Sequence, residues 1–342
     1  MGHARQAGSG PNTARQVASR SGLPSTVPAY TINKACASSL QAIASGAQSI
    51  LTGESEVVTA GGMESMSRMP YLVDADDARW GHKMGGFPLL DAMYRDGFTC
   101  SLCGLVMGET VELLAREFSI SREASDAYAL ETQRRAADAI ASGRFATEIV
   151  PVTVTDAKGR SSMVTADEHP RPDTSAESLR ALPAVFGGGI ITAGSSSGIT
   201  DGGAAVLLTS ERTARARGLA PLARILGWAT AAVDPRRMGI GPVPAVQRLL
   251  ARTGLALDDF DLVELNEAFA PQVLAVLREL PVRPERLNVN GGAIALGHPI
   301  GATGARILVT LLHEMRRRGA RRGLATLCVS GGLGMALGVE AV

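Results

Sequence analysis

The sequence predicts an α/β protein built from two related halves, on three observations. Two segments far apart in the chain repeat one order of signals: a short apolar strand, a turn of small residues, an amphipathic helix, a second strand and a Gly-Gly pair. The chain has 342 residues with 45% hydrophobic and 20% charged side chains, enough apolar material for two or three lobes. Its 39 glycines gather in pairs at strand and helix junctions, where a backbone turns tightly or approaches a ligand, and not in linkers.

In chain order, residues 1–28 hold one short amphipathic segment, Thr13 to Ser21, stopped by Gly22, with no apolar strand ahead of it. An α/β domain normally opens on a strand, so the chain is expected to begin late or to be partial. AYTIN (29–33) reads as a strand, Ser38 to Leu51 as a helix ending near Gly53, and Glu56 to Ala60 as a second strand closed by Gly61 and Gly62. Arg68 to about Gly189 differs in character: Met- and Gly-rich, then helical from Gly108 to Ala141, then punctuated by proline. That stretch reads as an excursion packed on the core. Arg212 to Gly227 leads into the second half, where LNVNGGAIALGHPIGATG feeds a helix from Ala305 to Arg318. Gly319 stops it, and the strand GLATLC, a turn at Gly331 and Gly332 and a last strand follow.

Composition excludes some partners. With 34 basic and 33 acidic residues the formal charge is +1, so nothing marks a nucleic-acid or anionic-membrane surface, and a small or neutral partner is the default. No apolar run approaches bilayer length. Four cysteines without a regular framework, and no signal peptide, point to a reducing compartment.

Reactive groups concentrate in four places. Cys36 stands before a helix, where free N–H groups and the dipole favour thiolate, and Ala37 to Ser39 are small enough for a substrate to reach the sulfur; taken alone, a small buried hydrophobe is the commoner fate of such a cysteine. His298, on a glycine-rich turn before Pro299, is placed to act as a base, or is an ordinary turn histidine. Cys328 ends an apolar strand and reads as a core cysteine, except that the following glycine turn can aim peptide N–H groups at an oxyanion. Asn266 closes the strand DLVEL and can hold a water or a carbonyl. Cys100 and Cys103 form a C-x-x-C without a second pair at metal spacing and read as incidental thiols; no metal site is expected.

Together INKACASSLQAI, NEAFA (266–270), NVNGGAIALGHPIGATG and LCVSGGLGMAL resemble the thiolases, the acyl-CoA C-acyltransferases, over nearly the whole chain. KMGGFPLLDAMYRDGFT and TAGSSSGITDGGAA are most similar to the acetoacetyl-CoA branch. The resemblance implies duplicated βαβαββ halves in a five-layered α-β-α-β-α core with an inserted loop domain. Residues 1–70 plus 191–215 would form the N-terminal half, 71–190 the loop domain and 216–342 the C-terminal half. It implies Cys36 as acyl-accepting nucleophile, His298 as its base and Cys328 as the acid and base at the α-carbon. One oxyanion site would use His298 and a water on Asn266, the other the backbone N–H of Cys36 and Ser330. Arg171, Ser178, Ala193 and Ser197 would lie along coenzyme A, with Met107, Phe186 and Phe269 around the pantetheine and acyl group.

The same resemblance implies coenzyme A thioesters as substrates, no permanently bound cofactor, and a cytoplasmic homodimer or homotetramer. Three departures stand out: the family's opening strands have no counterpart before Met1, Ser330 replaces a usual Gly, and Val106 replaces a histidine common in the short-chain branch. The ketoacyl synthases share the fold but pair one cysteine with two histidines, where this chain has Cys328. Reversible condensation of two acetyl-CoA is the first reading; thiolysis of a broader range of 3-ketoacyl-CoA and a non-catalytic acyl-CoA-binding subunit are the alternatives.

Overall fold

A computed structural model describes residues 1–342. The first helix, α1 (Thr13–Arg20), is capped by the Asn12 side chain. AYTIN does not become a strand. Ile32 makes only an isolated parallel bridge to Gly2, because Gly2 lies between Ile32 and Gly62 and links them one residue at a time. Helix α2 (Ser38–Leu51) falls where the pattern places it. Strand β1 (Val57–Ser65) runs straight through the two glycines expected to end it. A Cβ on Gly61 would stand 2.1 Å from the Ala204 carbonyl oxygen, and one on Gly62 2.1 Å from that of Gly301. These glycines therefore serve close approach and not a turn.

The predicted helix from Gly108 to Ala141 is two helices, α3 (Met107–Glu117) and α4 (Arg122–Ala141). Ser119 adopts φ 51°, which ends the first, and the Ser121 hydroxyl caps the second. Strand β2 (Asp201–Thr209) then returns to pair antiparallel with β1, so residues 66–200 are an excursion inserted between the two strands of one ribbon. The second half contributes β3 (Ala223–Ala232), α5 (Pro242–Thr253), β4 (Leu262–Leu265), α6 (Ala270–Glu279), α7 (Thr303–Arg318), β5 (Arg322–Val329) and β6 (Leu333–Ala341). Its sheet has the order β3-β6-β5-β4, antiparallel except for the β4–β5 pair.

Helices α2 and α7 lie side by side between the two sheets, and α5 covers the far face of the four-stranded sheet. Leu40, Ile43, Ile307, Leu311, Leu327 and Leu337 fill the space between the sheets. Each of these fully buried side chains stabilises the fold by about 1.5–3 kcal/mol. On the two-stranded sheet β2 alternates half-buried and exposed residues, and Leu207 is 59% exposed.

Candidate active site

The Cys36 turn carries stored strain. Ala35 adopts φ 44°, a left-handed conformation that costs an L-residue about 1–2 kcal/mol. Three hydrogen bonds hold it there: Ala35 N–H donates to Asn33 Oδ1 (3.0 Å), the Ser38 hydroxyl donates to the Ala35 carbonyl (2.6 Å), and Lys34 N–H donates to Ser38 Oγ (2.9 Å). Lys34 Nζ reaches Gln41 and, across to β3, Thr230, both at 2.8 Å, so the turn is tied to both halves.

The backbone N–H groups of Cys36 and Ser330 lie near enough to the Cys36 sulfur to favour its thiolate. Burial pushes its thiol up; Arg5 first, then the two N–H groups, pull it back without cancelling the rise. The helix dipole is thus not what governs this sulfur, since α2 begins only at Ser38. Nor do the small residues open a path to it. Ala37, Ser38 and Ser39 are fully buried. They let α2 touch its neighbours: Ala305 N–H donates to Ser39 Oγ (2.9 Å), and a Cβ on Gly304 would stand 2.6 Å from Leu40 Cβ.

His298 sits between Gly297, at φ 93°, and α7. Its N–H donates to Thr200 Oγ1 (3.2 Å) and its Nδ1 lies 2.6 Å from Thr303 Oγ1. The Thr303 hydroxyl already donates to the Pro299 carbonyl (2.9 Å), so it accepts from Nδ1–H and leaves the lone pair on Nε2. Asn266 Nδ2 is 3.5 Å from that Nε2, and its Oδ1 is buried with no partner in the protein. Burial, then the charges of Arg306 and Arg5, push His298 down to about 3, so it is a neutral acceptor at pH 7. Ile300, two residues on, belongs to the small cluster with Ala4, Met66 and Met93 against which Cys36 packs.

Cys328 is buried on β5 among Met107, Val111, Ile191, Met238 and Ala268, with Phe186, Phe269 and Cys103 against them. Burial pushes its thiol far above the ordinary range, and the neighbouring Cys36 adds to the rise. The Phe186 and Phe269 rings meet edge to face at 6.5 Å. Ser330 does not have a positive φ, so the side chain that replaces glycine costs the turn nothing; Gly331 and Gly332 take the left-handed positions. Ser197 borders this wall, donating twice to the Ala268 carbonyl, and Ala193 lies exposed in the short helix Ala193–Ser195 before it. Arg171 and Ser178 stay exposed outside the cluster, the Ser178 hydroxyl being engaged in the cap of the helix Ala176–Arg180.

Sequence reasoning missed the groups that hold these loops. Buried Glu64 accepts from Ala4 N–H (3.2 Å), Arg5 N–H (3.1 Å) and Gly301 N–H (2.9 Å), and pairs with His3 (3.2 Å). It ties the chain start to the His298 loop. Arg5, 7% exposed, donates from Nη2 to the Gly97 carbonyl while its Nε has no partner. A carboxylate in the strand VVTAGGMES was the available signal for Glu64; nothing local marks Arg5 or Thr303. No cluster of three or more His, Cys, Asp or Glu side chains is arranged to hold a metal, and no helix is long and apolar enough to cross a membrane.

Two family models cover this chain: Thiolase, N-terminal domain, over residues 1–212 and Thiolase, C-terminal domain, over 219–341. It is 51% identical to an acetyl-CoA acetyltransferase of Escherichia coli over 341 residues, 99% of this chain and 86% of the relative. A crystal structure of the Bacillus anthracis acetyl-CoA acetyltransferase superposes with TM-score 0.96 at 46% identity, over 100% of this chain and 86% of that one. Human mitochondrial 3-ketoacyl-CoA thiolase in complex with CoA does so at 0.91 and 45%, covering 96% and 82%. With that geometry and these likenesses, the chain belongs to the thiolase family.

Proposed function

We propose that this chain is an acyl-CoA C-acyltransferase that interconverts two acetyl-CoA with acetoacetyl-CoA and CoA through an acetyl thioester on Cys36. The observation that carries the reading is a half-buried thiol, Cys36, close enough to the buried Cys328 to raise it, together with a neutral imidazole at His298. Ser330 N–H points at the Cys36 sulfur, Cys328 lies on the strand just before it, and His298 keeps its lone pair on Nε2.

In thiolysis, Cys36 gives its proton to His298 Nε2 and attacks the 3-keto carbon of acetoacetyl-CoA. The N–H groups of Cys36 and Ser330 hold the oxyanion. The bond between C2 and C3 breaks, and Cys328 protonates the leaving acetyl-CoA carbanion, whose enolate oxygen is held by His298 and by a water on Asn266. The imidazolium proton restores the Cys328 thiol. CoA then gives its own thiol proton to His298, attacks the acetyl-Cys36 carbonyl and expels the Cys36 thiolate, which takes that proton back. Condensation is the reverse.

The unpartnered Asn266 Oδ1 supports the water-holding role, since a buried amide oxygen needs a donor. Met107, Phe186 and Phe269 support an acyl and pantetheine wall; Ser197 and Ala193, and at longer range Arg171 and Ser178, extend it toward the rest of coenzyme A. The apolar wall, with Val106 at the start of α3, also favours a second reading, thiolysis of longer 3-ketoacyl-CoA. In this account no cofactor stays bound, and the enzyme is a cytoplasmic homodimer or homotetramer. Its parts are an N-terminal half (1–70 with 191–215), a loop domain (71–190) and a C-terminal half (216–342). Mixing the protein with acetoacetyl-CoA and CoA tests the proposal: acetyl-CoA should appear, and well-folded protein that binds CoA without producing it would contradict the reading.

A further inference from the structure

Cys100 and Cys103 are the cysteines that this chemistry does not use, and they stand in the wall of the same site. Cys100 is buried in the cluster that holds Cys328 and Met107, and Cys103 packs on its edge, partly open to solvent. One tight turn joins them: Gly104 N–H donates to the Cys100 carbonyl and Cys100 N–H to the Leu105 carbonyl, both at 2.8 Å, with Gly104 at φ 72°. Residues three apart in one such turn have Cα atoms about 5–6 Å apart, inside the range a disulfide spans. Burial raises the Cys103 thiol, the Leu105 N–H opposes that rise, and the neighbouring Cys100 adds to it, so the two side chains are close enough to influence each other. On the neighbouring turn Asp234, paired at 2.8 Å with Arg236, adds to the rise of the Cys103 thiol. The exposed tip of the loop, Leu102, lies over the oxyanion turn, with its Cδ1 3.8 Å from where a Cβ on Gly331 would stand.

We propose that Cys100 and Cys103 are a reversible dithiol–disulfide site in the wall of the acyl pocket, closed by a low-molecular-weight disulfide and reopened by a thiol, and that closure slows thiolysis. The first half stands on the pair alone; the second rests on the acyltransferase reading. Cys103, the accessible sulfur, attacks one sulfur of the small disulfide as thiolate and expels one thiol, giving a mixed disulfide. Cys100, losing its proton, then attacks the Cys103 sulfur and expels the second thiol. The protein dithiol is oxidised by two electrons and the small disulfide is reduced to two thiols. Drawing the two sulfurs together pulls on Leu102 above Gly331, which is how the bond reaches the reaction.

The full chain is treated with glutathione disulfide, blocked with N-ethylmaleimide and digested with trypsin. Both cysteines fall in the single peptide Asp96–Arg116, whereas Cys36 and Cys328 fall in two others. Asp96–Arg116 should carry an internal disulfide and take up no maleimide until dithiothreitol is added; Cys103→Ser should lose that bond. Thiolysis by the oxidised protein should fall several-fold and recover with dithiothreitol, and the ratio of oxidised to reduced rate should be near unity in Cys103→Ser. Absence of the internal bond, or a bond joining the Cys36 and Cys328 peptides, overturns the site. An unchanged rate in bonded protein, or an equal loss in Cys103→Ser, overturns the effect on thiolysis. Peptide mapping needs no turnover, so an inactive protein would refute the acyltransferase reading and leave the site tested.

Discussion

Cys36, on the turn before α2, and Cys328, near the end of β5, are the same functional group, and their surroundings make them different. Cys36 lies in a strained turn, receives two peptide N–H groups and feels the Arg5 guanidinium, so burial raises its thiol against real opposition. Cys328 lies at the end of a strand in an apolar cluster, and apart from its own N–H nothing there favours its thiolate. In the proposed mechanism this difference divides the labour: a sulfur with donors around it is suited to take up an acyl group, and a sulfur held firmly as thiol is suited to deliver a proton to carbon.

Exchanging the two roles should fail most completely. Cys36→Ser is expected to lower thiolysis of acetoacetyl-CoA by about a thousandfold or more and to abolish the covalent adduct. If Cys328→Ser retained a substantial rate while Cys36→Ser did not, the division would collapse. A smaller effect is expected at Gly62, where the halves meet. In Gly62→Ala the new Cβ meets the Gly301 carbonyl at 2.1 Å, so stability should fall by about 1–3 kcal/mol, read as a lower Tm, with a lower kcat from a displaced His298 loop. Unchanged Tm and kcat would show that this approach is not tight.

Thr303→Val tests the imidazole that serves both sulfurs in the proposed mechanism. Without the hydroxyl, Nδ1 loses its acceptor and the proton is no longer confined to that side; kcat should fall by about tenfold to a hundredfold with little change in KM. An unchanged kcat would show that Thr303 does not set the tautomer. The mildest test is pH. Because His298 is pushed down to about 3 and the Cys36 thiol up from its ordinary 9.0, alkylation of Cys36 by iodoacetamide should keep rising with pH through and beyond 9.0, without an inflection near 6.5. A raised value means that the proton is held to higher pH. Arg5→Met removes an opposing positive charge, so the curve should move further up, whereas Arg5→Lys should leave it nearly in place. An inflection near 6.5 would mean that His298 titrates as an ordinary histidine.

What the sequence makes legible is what local chemistry decides. Helix α2 falls at its expected residues, because an apolar periodicity of 3.6 and a stop near Gly53 belong to the segment itself. The four motifs likewise single out Cys36, Asn266, His298 and Cys328, since each of these residues sits inside its own contiguous pattern. Gly61 and Gly62 mislead as a turn, because the reason for glycine there is a carbonyl on β2 and another in the His298 loop. AYTIN misleads as a strand, because alternation says nothing of whether a partner strand runs beside it. Glu64 and Arg5 act on backbone far away in sequence, so no spacing reveals them. The C-x-x-C lacks metal spacing and looks idle along the chain; only the fold puts it beside Cys328.

The division of labour between the two thiols is tested most directly by mapping acetyl adducts on Cys328→Ser after mixing with acetyl-CoA. An acetyl thioester is expected on Cys36, in the peptide Ala35–Arg68, together with no detectable acetoacetyl-CoA. An adduct missing from that peptide in folded protein, or acetoacetyl-CoA formed at the wild-type rate, would contradict it.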